Sequence, residues 1–193
     1  MKLALLLGMI LSLHAHSKSY LGANYGYAMY SSDALKEYKV APKGFTYGGF
    51  LGYGKEFVGM ELFFQDLKTA GKIKHDGGNY DINTNAQAMG VALRFSFQSF
   101  YLRMGLARYN LDQSLDIEDP IVRGAADEIY EIHDKGTKEN GAMFGVGLHQ
   151  KFGGIRTFID YTRYQIYGIG LYDTMSVGFS FAIPENLFSN GRY

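Results

Sequence analysis

Residues 175–183 read MSVGFSFAI. Met175, Val177, Phe179, Phe181 and Ile183 are large and apolar; Ser176, Gly178, Ser180 and Ala182 between them are small. A period of two is the signature of a β-strand. The small face is the informative one. A strand on the surface of a water-soluble protein turns Lys, Glu or Thr outward, whereas this one turns Ser, Gly and Ala away from its apolar side.

The same two-faced pattern recurs along the chain. Eight strands are predicted, at about 19–30, 44–54, 57–67, 86–97, 100–110, 141–152, 155–164 and 172–183. Lys55-Glu56, Gln98-Ser99 and Gly153-Gly154 are the length of two-residue hairpin turns. Those turns pair Tyr53 with Val58, Phe97 with Phe100 and Phe152 with Ile155, in each case apolar against apolar, which a wrong register would not produce. The remaining connections, 31–43, 68–85, 111–140 and 165–171, are longer or more polar. Short turns at one end and long loops at the other describe an all-β, eight-stranded antiparallel up-and-down barrel.

Composition agrees with that architecture. The chain has 193 residues and no formal net charge; Gly reaches 25, Tyr 16 and Phe 14. The balanced charge leaves no basic footprint for nucleic acid. Cysteine is absent, which excludes disulfides, thiolate metal sites, thiol catalysis and a lipidated N-terminal cysteine. Residues 1–17, MKLALLLGMILSLHAHS, have one Lys, an apolar run too short to span a bilayer, and then small and polar residues. That is the layout of a secretory signal peptide. The expected organisation is a signal peptide over 1–17, a barrel over 18–183 and a short periplasmic tail over 184–193.

The small face decides which way the barrel is turned. It carries Gly22, Gly26, Gly48, Gly52, Gly59, Gly90, Gly105, Gly145, Gly147 and Gly178, and also Glu61, Arg94, Arg103, His149, Lys151, Arg156 and Asp160. An eight-stranded barrel has an interior just filled by side chains, where small residues make room for a few long charged ones. The apolar face is banded by aromatics: Tyr53, Phe97, Phe100 and Phe152 beside the short turns, Tyr25, Tyr27 and Tyr47 nearer the long loops. Such girdles flank the lipid-facing belt of outer-membrane barrels. The glycine face therefore looks inward and the aromatic face looks at lipid. Lys68, Arg108 and Arg163 fall on the outward face near the far rim, where they are candidates for contact with outer-membrane lipid and lipopolysaccharide phosphates.

With these features the sequence resembles the small eight-stranded outer-membrane β-barrels of the OmpX, OmpA-barrel and opacity-protein type, over about 19–183. Ser176, Gly178, Phe181 and Ile183 match that family's C-terminal assembly signal. The resemblance implies residence in the bacterial outer membrane after Sec-type export and signal cleavage, with insertion by the barrel assembly machinery. The chain departs from the family in continuing past that strand as PENLFSNGRY.

Glu61, Arg94, Arg103, Arg156 and Asp160 are expected to form an interior ion network, because Arg94 lies opposite Arg103 in the hairpin register and buried like charges need carboxylates. The network reads first as a plug that specifies the barrel, second as the gate of a narrow pore for small or hydrophobic solutes. His149 and Asp160 on neighbouring strands could orient a general base, but no serine nucleophile accompanies them, and a lipid-modifying enzyme ranks below both readings. Residues 111–140 hold nine acidic residues against Arg123, Lys135 and Lys138; DQSLDIEDP within them lacks EF-hand spacing and reads as a solvated acidic loop. No cofactor or metal is expected. The predicted role is structural or surface interaction through extracellular loops, with an extracellular ligand as the partner.

Overall fold

The computed structural model describes residues 18–37, 40–75, 78–116 and 137–184. The expected signal peptide, most of the acidic loop and the tail beyond Pro184 lie outside the described residues. The strands are β1 (Lys18–Ser31), β2 (Lys43–Gly54), β3 (Val58–His75), β4 (Gly78–Phe97), β5 (Phe100–Asp116), β6 (Thr137–Phe152), β7 (Ile155–Ile166) and β8 (Gly170–Ala182); a short helix, α1 (Asp33–Glu37), follows β1. They form one closed antiparallel barrel in the order β1 to β8, with β8 returning to β1.

Register fixes its dimensions. Hydrogen-bonded partners lead from Tyr20 through Gly52, Glu61, Ala92, Gly105, Met143, Tyr164 and Tyr172 back to β1 at Tyr30, ten residues further along. Eight strands with that stagger tilt about 41° from the axis and enclose a radius of about 8 Å. Each residue therefore climbs about 2.5 Å along the axis.

Two of the three expected hairpin turns have the predicted register. Phe97 pairs with Phe100, and Phe152 with Ile155. The first turn position takes positive φ in both, 48° at Gln98 and 59° at Gly153. The third turn differs: Tyr53 pairs with Met60, not Val58. The connection takes in a third residue, Phe57, whose ring packs edge-on against Phe97 at 4.8 Å and joins the aromatic girdle. Because the slip is two residues, the faces stay as assigned.

The larger difference lies at the other end. β3 and β4 run on to His75 and from Gly78, so most of the expected loop 68–85 is a continuous hairpin. β5 likewise runs past 110 to Asp116. Only three residues join β7 to β8, with Gly168 at φ 75°. In the extended segments the alternation persists with its polarity reversed. Ile82, Thr84, Ala86, Tyr109 and Leu111 point inward and are buried; Asp81, Asn83, Asn85, Asn110 and Asp112 alternate with them. A reading that follows apolar residues outward stops where the environment changes from lipid to water.

Candidate functional site

The outward face from the short turns upward carries no charge until Asp66, Arg108, Arg163 and Asp173. These sit about 16–20 Å above the level of Tyr20. The belt below them exposes Leu62, Met89, Leu106, Val177 and Phe179, among others. Phe57, Phe97 and Phe100 form its lower girdle and Tyr25, Phe45 and Tyr47 its upper one. That height matches an outer-membrane belt.

Inside, four of the five expected network residues meet. Glu61, Arg94, Arg103 and Asp160 are each 3 % exposed or less. Arg103 Nε lies 2.8 Å from Glu61 Oε2, and Arg94 Nη1 lies 3.4 Å from Glu61 Oε1. Arg103 Nη1 reaches Asp160 Oδ2 at 3.7 Å. Hydroxyls add to the carboxylates: Tyr20 donates to Glu61 Oε1 at 2.9 Å, Tyr101 donates to Asp160 Oδ2 at 2.8 Å, and Ser176 donates to Asp160 Oδ1. Buried charges persist only when paired and bonded in this way.

The fifth residue, Arg156, stands apart. It is half-buried near the short-turn mouth, with no ion pair among the described residues. Its strand puts it about 10 Å lower along the axis than Asp160, four residues away. The His149–Asp160 pairing also does not form. Tyr101 serves both instead: its ring stacks on the imidazole at 5.8 Å and its hydroxyl binds the carboxylate. His149 Nδ1 faces Arg94 Nη2 at 3.4 Å.

The aromatic layer around the network was not singled out from sequence. Phe50, Phe63, Tyr101 and Phe158 are all buried, and Tyr20 borders them. Each guanidinium lies over a ring, Arg94 at 4.3 Å from the Tyr101 centroid and Arg103 at 5.4 Å from Phe50. Four of these rings lie across a glycine on the next strand: Tyr20 on Gly52, Phe50 on Gly22, Tyr101 on Gly147 and Phe158 on Gly178. A Cβ at Gly52 would fall 2.1 Å from the Tyr20 ring, and one at Gly147 2.5 Å from Tyr101. The glycines are the floors on which the rings lie. The available signal is an aromatic at an inward position; three of the four ring–glycine pairings need registers that no short turn supplies.

Above the network the interior turns apolar. Tyr30 and Tyr172 pack at 4.7 Å, and Phe63 meets Tyr164. Leu35 on α1 is 2 % exposed and joins this cluster. Ser32 caps α1 by accepting the Leu35 amide at 3.3 Å.

The rim cations differ among themselves. Arg163 forms a two-pronged pair with Asp173, at 2.8 and 3.0 Å, and Tyr161 donates to the same carboxylate. Lys68 lies 3.4 Å from Asp66, which also accepts from Tyr47. Arg108 has no ion pair among the described residues. At the opposite mouth, Lys151 binds Glu56 in the turn, and this hydrogen bond holds the Glu56 carboxyl below its usual range. In β8, Ser176 and Gly178 face inward and Phe181 faces lipid; the Ile183 amide donates to Ser19 O at 2.8 Å, closing the barrel seam. Among the described residues no group of three His, Cys, Asp or Glu could hold a metal.

The family described as outer membrane protein beta-barrel domain matches residues 3–183. Among solved structures, Ail, the attachment invasion locus protein of Yersinia pestis, is similar at 12 % identity with a TM-score of 0.53. The similarity covers 86 % of this chain and 99 % of that one. Another structure of Ail, in complex with the heparin analogue sucrose octasulfate, scores 0.50 with the same coverage. Neisserial surface protein A matches at 13 % identity and 0.47, covering 86 % and 99 %. At such identities the likeness speaks to the fold. No curated protein sequence matches.

Proposed function

The chain belongs to the outer membrane protein beta-barrel domain family, and from that premise we propose that it is a surface-interaction protein whose plugged barrel holds a β-sheet outside the cell. Fold and family point to the bacterial outer membrane. Residues 1–17 serve as the export signal, Ser176, Gly178, Phe181 and Ile183 as the signal read by the assembly machinery, and 184–193 as a periplasmic tail.

One observation carries the reading. Beyond Ala70, β3 pairs with β4 alone, and beyond Leu111, β5 pairs with β4 alone, among the described residues. A three-stranded ribbon thus rises about 20 Å past the rim with two strand edges unpaired among the described residues. Free edges offer main-chain groups to an extended peptide, which adds as a further strand. The interior supports display over transport: a buried ion network and an aromatic layer fill the lumen below α1. The acidic excess over 111–140 disfavours a polyanion such as the sucrose octasulfate held by Ail. The rim cation best suited to a lipopolysaccharide phosphate is Arg108, since Lys68 and Arg163 already have carboxylates.

The test is binding of the refolded barrel to an array of extended peptides. A variant in which an Asn-Gly turn replaces residues 73–80 should lose at least tenfold in affinity while keeping its heat-dependent gel mobility. Absence of peptide binding, together with steady conductance in planar bilayers, would replace this reading with the pore.

A further inference from the structure

The short-turn mouth of the barrel opens into a cavity of about 310 Å³ that the surface-interaction reading does not use. Lys18, Lys55, Lys151, Arg94 and Arg156 line it, against the single carboxylate of Glu56. Lys151 pairs with Glu56. Arg94 is 3 % exposed and shares Glu61 with Arg103. The Nε atoms of both Arg94 and Arg156 are buried and have no hydrogen-bond partner among the described residues. Lys18, Lys55 and Arg156 have no ion pair among the described residues. Two arginines share one small cavity, each with its Nε unsatisfied among the described residues, a costly arrangement unless an acceptor arrives.

We propose that this mouth is a binding site for a phosphate group, supplied either free in the periplasm or as the headgroup of an anionic phospholipid. Guanidinium donors match phosphate oxygens in pairs, and a cavity with low-dielectric walls strengthens each contact. The hydroxyls of Ser96 and Ser180 lie on the same lining and supply neutral donors. The volume exceeds one phosphate and accommodates a glycerophosphate headgroup. The cations at its edge, Lys18, Lys55 and Lys151, stand at the level of the lower aromatic girdle, where the headgroups of the inner leaflet lie.

The experiment uses the full chain refolded in zwitterionic micelles. Inorganic phosphate is titrated calorimetrically against sodium chloride at matched ionic strength, and in parallel short-chain phosphatidylglycerol is titrated against short-chain phosphatidylcholine. Saturable binding of phosphate identifies the free anion as sufficient; binding of phosphatidylglycerol alone identifies the lipid headgroup. In either case Arg156→Gln should weaken binding tenfold or more, and Arg156→Lys less. Among the described residues Arg156 has no ion-pair partner to strand, and heat-dependent mobility of the variant checks folding. Should that variant not fold, the Lys18→Gln, Lys55→Gln double variant should still weaken binding several-fold. No binding above the salt controls, or full binding by the folded Arg156→Gln protein, overturns the proposal.

Discussion

The same strands obey opposite rules on either side of the rim. On β3, Met60, Leu62 and Phe64 face lipid while Glu61 and Gln65 are buried in the lumen; past the rim Lys68 and Lys72 face water while Leu67 and Thr69 are buried. On β5 the switch falls between Leu106, which is 64 % exposed to lipid, and Arg108. Nothing in the backbone changes at that point, since the pairing of β3 with β4 is continuous from Val58 to His75. Only the solvent changes. Below the rim, burying a side chain means taking it out of hydrocarbon into a polar lumen. Above it, burial means removal from water, and the ordinary hydrophobic effect returns.

Removing a lumen charge should be the largest disturbance of this contrast. Glu61→Ala leaves Arg94 and Arg103 facing each other on paired strands with their shared carboxylate gone. Breaking a buried pair on one side costs about 3–5 kcal/mol. Urea unfolding in lipid vesicles should show that loss, and planar bilayers should show raised conductance if the network also obstructs the lumen. An unaltered urea midpoint would mean that the lumen is wet enough to solvate the two guanidinium groups.

Its neighbour tests the other face. Leu62→Arg puts a cation near the middle of the lipid belt, at a cost of about 2–4 kcal/mol. Asn85→Arg, made outward above the rim, should cost almost nothing by the same urea assay. The two substitutions place the same cation on the outward face at two heights. If they cost the same, the belt has been assigned to the wrong part of the strands.

Much of this was legible in sequence because lipid and lumen impose a strict alternation. The inward charges Glu61, Arg94, Arg103 and Asp160 stand out as polar residues on a face of small ones, and two true hairpin registers place Arg94 opposite Arg103 and Asp160 opposite Gly147. Arg156 groups with them for the same reason. Face alone cannot report height, and it lies at the mouth, about 10 Å below Asp160. The ribbon above the rim was hidden because its apolar residues moved to the other face. Ile82 and Leu111 break the outward pattern and so read as loop. Tyr53–Val58 failed because turn length was assumed from Lys55-Glu56, whereas Phe57 finds a partner in Phe97.

Within the lumen, the ring-on-glycine pairs separate packing from charge. Gly147→Ala sets a Cβ 2.5 Å from the Tyr101 ring. That ring also carries Arg94 and positions the hydroxyl on Asp160, so displacing it disturbs packing and network together. Overpacking of this kind costs about 1–3 kcal/mol. The double variant Gly147→Ala, Tyr101→Phe should be less than additive in urea unfolding, because the ring displaced by the first change has already lost its hydroxyl contact in the second. Full additivity would mean that the ring yields without moving its hydroxyl.

The smallest effect is expected at the boundary itself, and it locates that boundary. Arg163 and Asp173 face outward across β7 and β8, with Asp173 also receiving the Tyr161 hydroxyl. If the pair lies among headgroups and water, Asp173→Asn should lower the unfolding free energy read from urea titration by about 0.2–1 kcal/mol, and the loss should shrink in high salt. If it lies in hydrocarbon, the arginine left behind is unpaired at depth. The cost then rises toward the roughly 2–4 kcal/mol of a midplane cation and ceases to depend on salt. Arg108, at similar height and with no partner among the described residues, argues for the first outcome, because a strand keeps an unpaired arginine outward only where water or phosphate can reach it. Lipids of longer acyl chain sharpen the test. Thickening the hydrocarbon should convert the small, salt-sensitive loss into the large, salt-insensitive one at Asp173 well before anything changes at Asn85.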